Sequence, residues 1–270
     1  MALSQEEKGE TFRTLHTGPP FVIPNPWDAG SAKVLAGLGF KALATTSGGF
    51  AFTLGRGDGT VTLDEIASHI AALTEATDLP VSVDLENGYG PAPDDAARAI
   101  TRAAEAGAVG GSIEDYDRDS GALYELEAAA ERIAAAAEAA SGLGFPFTLT
   151  ARAENHLRGN PDLDDTIARL QAFERAGADV LYAPALVTAE EIRAVTDAVS
   201  KPVNVLAFGR LGLTLSELAE AGAQRVSVGG ALTWVAVNAF ADAARAIREH
   251  GDFSTLVGSP PLRDWFAPEF

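Results

Sequence analysis

Two carboxylates, Asp84 and Glu86, stand at i and i+2 at the end of the apolar run Val81-Ser82-Val83, and the glycine turn Asn87-Gly88-Tyr89-Gly90 follows at once. On an extended strand that spacing puts both acids on one face. The pattern recurs where Ile113 is followed by Glu114 and Asp115, and where Phe147-Thr148-Leu149-Thr150-Ala151 ends in Arg152, with Glu154 two residues on. Strands that each present an acid or a guanidinium at their carboxyl ends point to an active site where they meet. Clustered carboxylates, with no cysteine and four histidines in the chain, suit a hard cation that prefers oxygen ligands and keeps waters: Mg²⁺ first, Mn²⁺ next. The plainer reading makes Asp84 and Glu114 rim ion pairs or helix caps.

Three further features belong with these. Ser47-Gly48-Gly49, after the strand-like Leu43-Ala44-Thr45-Thr46, offers consecutive backbone N–H groups to an anion. Arg152 at the end of an apolar strand needs a partner. A carboxylate or phosphonate gripped by its planar fork is one, and an ion pair with Glu154 or Glu114 is the other. Asp58, within Gly55-Arg56-Gly57-Asp58-Gly59, reads by itself as a turn aspartate. His156 shares the rim with Glu154 and is a candidate proton carrier or a hydrogen-bonding group. His16, His69 and His250 fall in helical or terminal contexts.

The elements that must position these groups follow from a recurring phrase. Ala36-Gly37-Leu38-Gly39, Glu105-Ala106-Gly107-Ala108, Arg175-Ala176-Gly177-Ala178 and Glu220-Ala221-Gly222-Ala223 each read as a helix ending on a glycine, with a buried strand next. Further strands are expected at Phe21–Pro24, Val81–Asp84, Phe147–Ala151 and Val203–Leu206. About eight β-then-α units result, the number that closes an α/β barrel. No linker interrupts them, so the expectation is one (β/α)8 domain over residues 1–270, with a C-terminal extension from about 240. A doubly wound sheet would carry a phosphate loop after its first strand. Asn25-Pro26-Trp27-Asp28-Ala29-Gly30 lacks one.

The chain has 270 residues, 47% of them hydrophobic, and no cysteine, which excludes disulfides, thiolate metal sites and a cysteine nucleophile or acid. A formal net charge of -18 disfavours nucleic acids and anionic membranes. It is compatible with a small anionic substrate if a cation and an arginine reverse the field locally. The first residues carry acids and no apolar signal core, and no run reaches the length of a membrane span, so a cytoplasmic protein is expected.

Taken together, Ser47-Gly48-Gly49 after the second strand, the loop aspartate Asp58, Asp84-Leu85-Glu86-Asn87-Gly88-Tyr89-Gly90 after the third, Ile113-Glu114-Asp115 after the fourth and Ala151-Arg152 after the fifth resemble the isocitrate lyase and phosphoenolpyruvate mutase superfamily. The likeness runs from Phe21 to Phe240. It implies a (β/α)8 barrel whose last helix is exchanged between subunits of a homotetramer or homodimer, which gives the aromatic tail Gly258–Phe270 a neighbour to pack on. It implies Mg²⁺ held largely through waters, with Asp58, Asp84, Glu86 and Glu114 as its acids and Asp84 the candidate for direct coordination. A small 2-oxo or 2-hydroxy acid would lie on Ser47, Gly48, Gly49 and Arg152, with Trp27 and Tyr89 lining the pocket. The carried-over catalytic groups are Arg152, Ser47 and Glu114.

Departures from the family pattern narrow the reaction. The carbon–carbon lyases of this superfamily carry a cysteine loop after the fourth strand, whereas here Tyr116–Tyr124 is shorter and has no cysteine. The longer gating signature of the mutase and of phosphonopyruvate hydrolase is also not visible, leaving Arg118 and Ser120 as the polar candidates. Where the lyases have Pro-Glu after strand six, this chain reads Ala183-Pro184-Ala185, which suggests a smaller or differently oriented substrate. The expectation is a Mg²⁺-dependent lyase that forms or cleaves a 2-oxo acid such as oxaloacetate, or a 2-hydroxy diacid, through an enolate. The rivals are carbon–phosphorus chemistry and a barrel that binds an oxo acid without turnover.

Overall fold

The computed structural model describes residues 3–209 and 211–256. Helix α1 (Gln5–Leu15) leads into strand β1 (Phe21–Ile23), followed by α2 (Ala29–Gly37), β2 (Leu43–Ala44), α3 (Ser47–Thr53), α4 (Leu63–Ala76), β3 (Val81–Asp84), α5 (Pro93–Glu105) and β4 (Gly110–Glu114). A small hairpin, β5 (Tyr116–Asp117) and β6 (Ala122–Leu123), interrupts the alternation. It resumes with α6 (Leu126–Ser141), β7 (Thr148–Arg152), α7 (Leu163–Arg175), β8 (Val180–Tyr182), α8 (Ala189–Ala198), β9 (Val203–Leu206), α9 (Leu215–Glu220), β10 (Arg225–Ser227) and α10 (Ala231–His250).

Eight strands pair in parallel in the order β1-β10-β9-β8-β7-β4-β3-β2. At the seam the Ala44 N–H donates to the Pro24 carbonyl at 3.0 Å, so the sheet closes almost completely into the expected (β/α)8 barrel. Alternation along each strand sorts the residues. Leu149, Ala151, Leu181, Val203, Val205 and Val226 belong to the main hydrophobic core, whereas Arg152, Tyr182, Asn204, Arg225 and Ser227 line a cavity inside the barrel.

The composition of the first residues gave no sign of α1, which starts at a capping box between Ser4 and Glu7. It closes the amino-terminal end of the barrel by packing Phe12 with Phe21, Ile23, Ala42 and Val109. A Cβ on Gly110 would lie 2.7 Å from Phe12 Cε1, so this contact requires glycine there. No helix among the described residues is long and apolar enough to cross a membrane. The aromatic tail expected to pack on a neighbour lies outside the described residues.

Candidate active site

The carboxyl ends of β3, β4 and β7 bring the expected charged groups together. Arg152 Nη1 donates to Asp84 Oδ1 at 2.9 Å, and Nη2 lies 3.1 Å from Glu114 Oε2 and 2.7 Å from Glu154 Oε1. Ser47 reaches the other oxygen of Asp84 twice, through its hydroxyl at 3.0 Å and its backbone N–H at 3.4 Å. Burial alone would raise the Asp84 carboxyl. Arg152, Ser47 and the Glu86 N–H outweigh that and hold it below the usual range. Glu86 and Glu114 go the other way, mainly through desolvation, Glu86 to about 7.

Ser47-Gly48-Gly49 forms the first turn of α3 rather than an open turn, because Thr46 caps the helix and accepts from the Gly49 N–H at 3.3 Å. Gly49 has to be glycine: a Cβ there would meet Thr46 Cγ2 at 2.6 Å, Thr233 Oγ1 at 2.8 Å and Trp27 Cβ at 3.1 Å. Trp27 therefore backs the Ser47 turn and is not among the residues lining the barrel cavity. Tyr89 lines a separate cavity of about 740 Å³ with Glu86 and Arg118. The barrel cavity, of about 370 Å³, is bounded instead by Tyr182, Leu157, Phe208 and Trp234, with Ser47, Gly48, Asp58, Asp84 and Arg152 at its mouth.

Arg118 has a larger part than the sequence indicated. From the tip of the β5–β6 hairpin its Nε lies 3.0 Å from Glu86 Oε2 and 3.9 Å from Glu114 Oε1, and its Nη2 donates to Asp58 at 3.2 Å. The hairpin thus joins Asp58 to the acids at the strand ends. Arg158 adds a third guanidinium, 2.8 Å from Glu154 and 3.5 Å from Glu114. Ser120 is exposed at the hairpin tip, and His156 Nε2 is buried without a hydrogen-bond partner outside the barrel cavity.

In this ion-paired cluster five carboxylates, Asp58, Asp84, Glu86, Glu114 and Glu154, face three guanidiniums. The formal surplus is the charge of one divalent cation. Glu86 Oε1 is buried without a hydrogen-bond partner, and such an acceptor calls for a donor or a cation. Among the described residues no three acid or histidine groups stand close enough to cage an ion directly. The acids present therefore fit a cation held mostly through its waters, which is the habit of Mg²⁺.

The sequence model of the phosphoenolpyruvate phosphomutase family matches residues 12–248. The chain belongs to that family. Phosphomutase-family relatives with assigned chemistry include a 2-methylisocitrate lyase from Halalkalibacterium halodurans, 32% identical over 260 residues and covering 92% of this chain and 84% of the relative. An oxaloacetate decarboxylase from Bradyrhizobium sp. is 30% identical over 261 residues, covering 93% and 88%. Among solved structures, a Burkholderia cenocepacia J2315 protein, described no more closely than as a lyase/mutase, superposes with a TM-score of 0.94 at 55% identity over 98% of this chain and 97% of its own. Phosphomutase-family membership thus spans carbon–carbon lyases as well as the reaction that names it.

Proposed function

We propose that the protein is a Mg²⁺-dependent carbon–carbon lyase that releases a small 2-oxo acid from a 2-oxo or 2-hydroxy diacid, with oxaloacetate decarboxylation as its type reaction. The observation that carries this reading is the convergence of Asp84, Arg152 and the Ser47 N–H at one cavity mouth. When bound, the cation polarises the substrate oxygens as a Lewis acid. Asp84 would hold it, with Asp58, Glu86 and Glu114 as the acids around it. Arg152 clamps the substrate carboxylate with its fork, and Ser47 and Gly48 at the amino end of α3 receive developing negative charge. A decarboxylation fits the short β5–β6 hairpin, since departing carbon dioxide needs no base of its own.

The relatives' assigned activities support the same class. A homo-oligomer built through α10 is part of the proposal: Val235 and Phe240 on that helix are 66% and 75% exposed. The test is a panel of oxaloacetate, substituted malates, 2-methylisocitrate and phosphonopyruvate with added Mg²⁺, followed by NMR. Pyruvate or another 2-oxo acid formed from a diacid, and lost with chelator and in Asp84→Ala, supports the lyase. Phosphate release or phosphonate rearrangement moves the protein to carbon–phosphorus chemistry, and binding without turnover makes it a 2-oxo acid binding protein.

A further inference from the structure

The lyase reading leaves one step without an owner. An enolate has to be protonated at carbon, and the chain has no cysteine to do it. Among the described residues that line the barrel cavity there is no histidine and no lysine. Its carboxylates are Asp84, an anion held by Arg152, and Asp58, ion-paired to Arg118. Its aliphatic hydroxyls are too weakly acidic to serve. One phenol remains, Tyr182, at the carboxyl end of β8 beside Arg152, whose guanidinium carbon lies 5.3 Å from the ring centre.

The hydrogen bonds behind Tyr182 leave Ser227 with a proton to offer it. At the amino end of β10, Arg225 is buried with no carboxylate partner among the described residues. Its Nε donates to Asn204 Oδ1 at 2.8 Å, its Nη2 to Thr150 Oγ1 at 3.0 Å, and its Nη1 lies 3.2 Å from His16 Nε2. His16 Nδ1 faces the Phe12 carbonyl at 2.8 Å. A carbonyl can only accept, so the ring proton sits on Nδ1, and Nε2 accepts from the guanidinium. Asn204, its oxygen turned to Arg225, must present its amide N–H₂ to Ser227 Oγ, at 2.9 Å. Ser227 then has its own proton to give, and the Tyr182 hydroxyl is the group beside it that can take it. A Tyr182 oxygen that accepts this proton has its own O–H free for the cavity that it lines. A buried guanidinium at the head of such a chain polarises every bond in it toward stabilising a phenolate.

We propose that Tyr182 is the general acid of this barrel, giving its phenolic proton to the enolate carbon exposed when the substrate's carbon–carbon bond breaks. Asn204, Ser227 and Arg225 are its positioning residues. In oxaloacetate decarboxylation the bond from C3 to the departing carboxylate breaks, and its electron pair forms the enolate. The Tyr182 O–H bond then breaks as a C–H bond forms at C3, giving pyruvate, and the phenolate regains its proton from water. No electrons are exchanged with any other group. Burial pushes the phenol up to about 12 despite Arg152 and Ser227, so it carries its proton at neutral pH.

The inference rests on the lyase reading, and the exchange of pyruvate methyl protons tests it without requiring the cleavage step. With Mg²⁺ and pyruvate in D₂O, wild-type protein is expected to catalyse methyl exchange, followed by proton NMR. Tyr182→Phe is expected to lose about 100-fold or more of that rate while binding oxalate as tightly as wild type in calorimetry. Ser227→Ala should lose about tenfold, with Ser227→Thr restoring it, which loss of packing alone would not produce. Exchange at the wild-type rate in Tyr182→Phe overturns the proposal and leaves the lyase reading standing. Wild-type protein that neither cleaves a diacid nor exchanges pyruvate overturns both.

Discussion

Asp84 Oδ1 and Arg152 Nη1 stand 2.9 Å apart although β4 separates their strands and 68 residues separate them in the chain. The pair spans the barrel mouth, and Ser47 fixes the far oxygen of the aspartate. Asp84→Asn keeps the shape and removes the charge. Calorimetric Mg²⁺ affinity and turnover are both expected to fall more than about 100-fold, and a variant that binds Mg²⁺ normally would remove Asp84 from the cation site.

Arg152→Lys keeps the charge and loses the fork that now reaches Asp84, Glu114 and Glu154. A loss of about 10- to 100-fold in kcat/KM is expected, with the larger part in KM. Saturation kinetics identical to wild type would rule out a substrate-clamping role.

Arg118 occupies carboxylates that a hydrated cation would also use. In Arg118→Ala, Asp58 and Glu86 lose a competing positive charge, so Mg²⁺ should bind up to about fivefold more tightly. The β5–β6 hairpin, untied from Asp58, should become more sensitive to limited proteolysis. Weaker Mg²⁺ binding in this variant would show that Arg118 organises the acids rather than competing for them.

Gly49→Ala places a methyl against Thr46, Thr233 and Trp27. Overpacking of this kind costs about 1–3 kcal/mol, read as a lower urea midpoint. The displaced α3 would carry Ser47 away from Asp84, so activity should fall more than stability does.

Two buried histidines add to the acid sensitivity of the fold. Desolvation lowers His16 to about 3, helped by Arg225, and lowers His69 to about 4 against the pull of Asp28. Both are neutral when folded, while the unfolded chain takes up protons below about pH 6.5. Their contribution is fully present above pH 6.5 and is lost as pH falls toward 4 for His69 and 3 for His16. For His69, stacked on Phe50 at 3.9 Å, this amounts to about 3 kcal/mol. His69→Leu should flatten the decline of the urea midpoint between pH 6.5 and 4, and an unchanged slope would contradict the assignment.

The groups that sequence reasoning reached are those at strand ends. Asp84, Glu114 and Arg152 each follow an apolar run, and barrel closure alone makes them converge. Arg118 was legible only as a polar candidate beside Ser120, because its contacts depend on a hairpin folding back over the acids and the stretch read as an abbreviated loop. Asn204, Arg225 and Ser227 were hidden for a different reason. They sit within runs that read as buried strands, and the signal was the alternation Arg225-Val226-Ser227 and Asn204-Val205-Leu206, which puts polar groups on the inward face. Trp27 and Tyr89 were placed in the right loops, but which cavity a loop aromatic faces depends on local backbone rotation. Tyr89, at φ 61°, follows Glu86 and Gly88 through positive φ, and that turn directs it to the neighbouring cavity.

The unpaired guanidinium of Arg225 gives the barrel an electrical axis. Its rim holds a formal surplus of two negative charges, while its floor, sealed by α1, holds a positive charge that no acid among the described residues neutralises. On the lyase reading, a dicarboxylate arriving alone would meet repulsion first and attraction only after passing the rim, so the protein would turn it away until a cation had arrived. Order of addition would then follow from the charge distribution: metal before acid, with the acid's release favoured once the metal leaves.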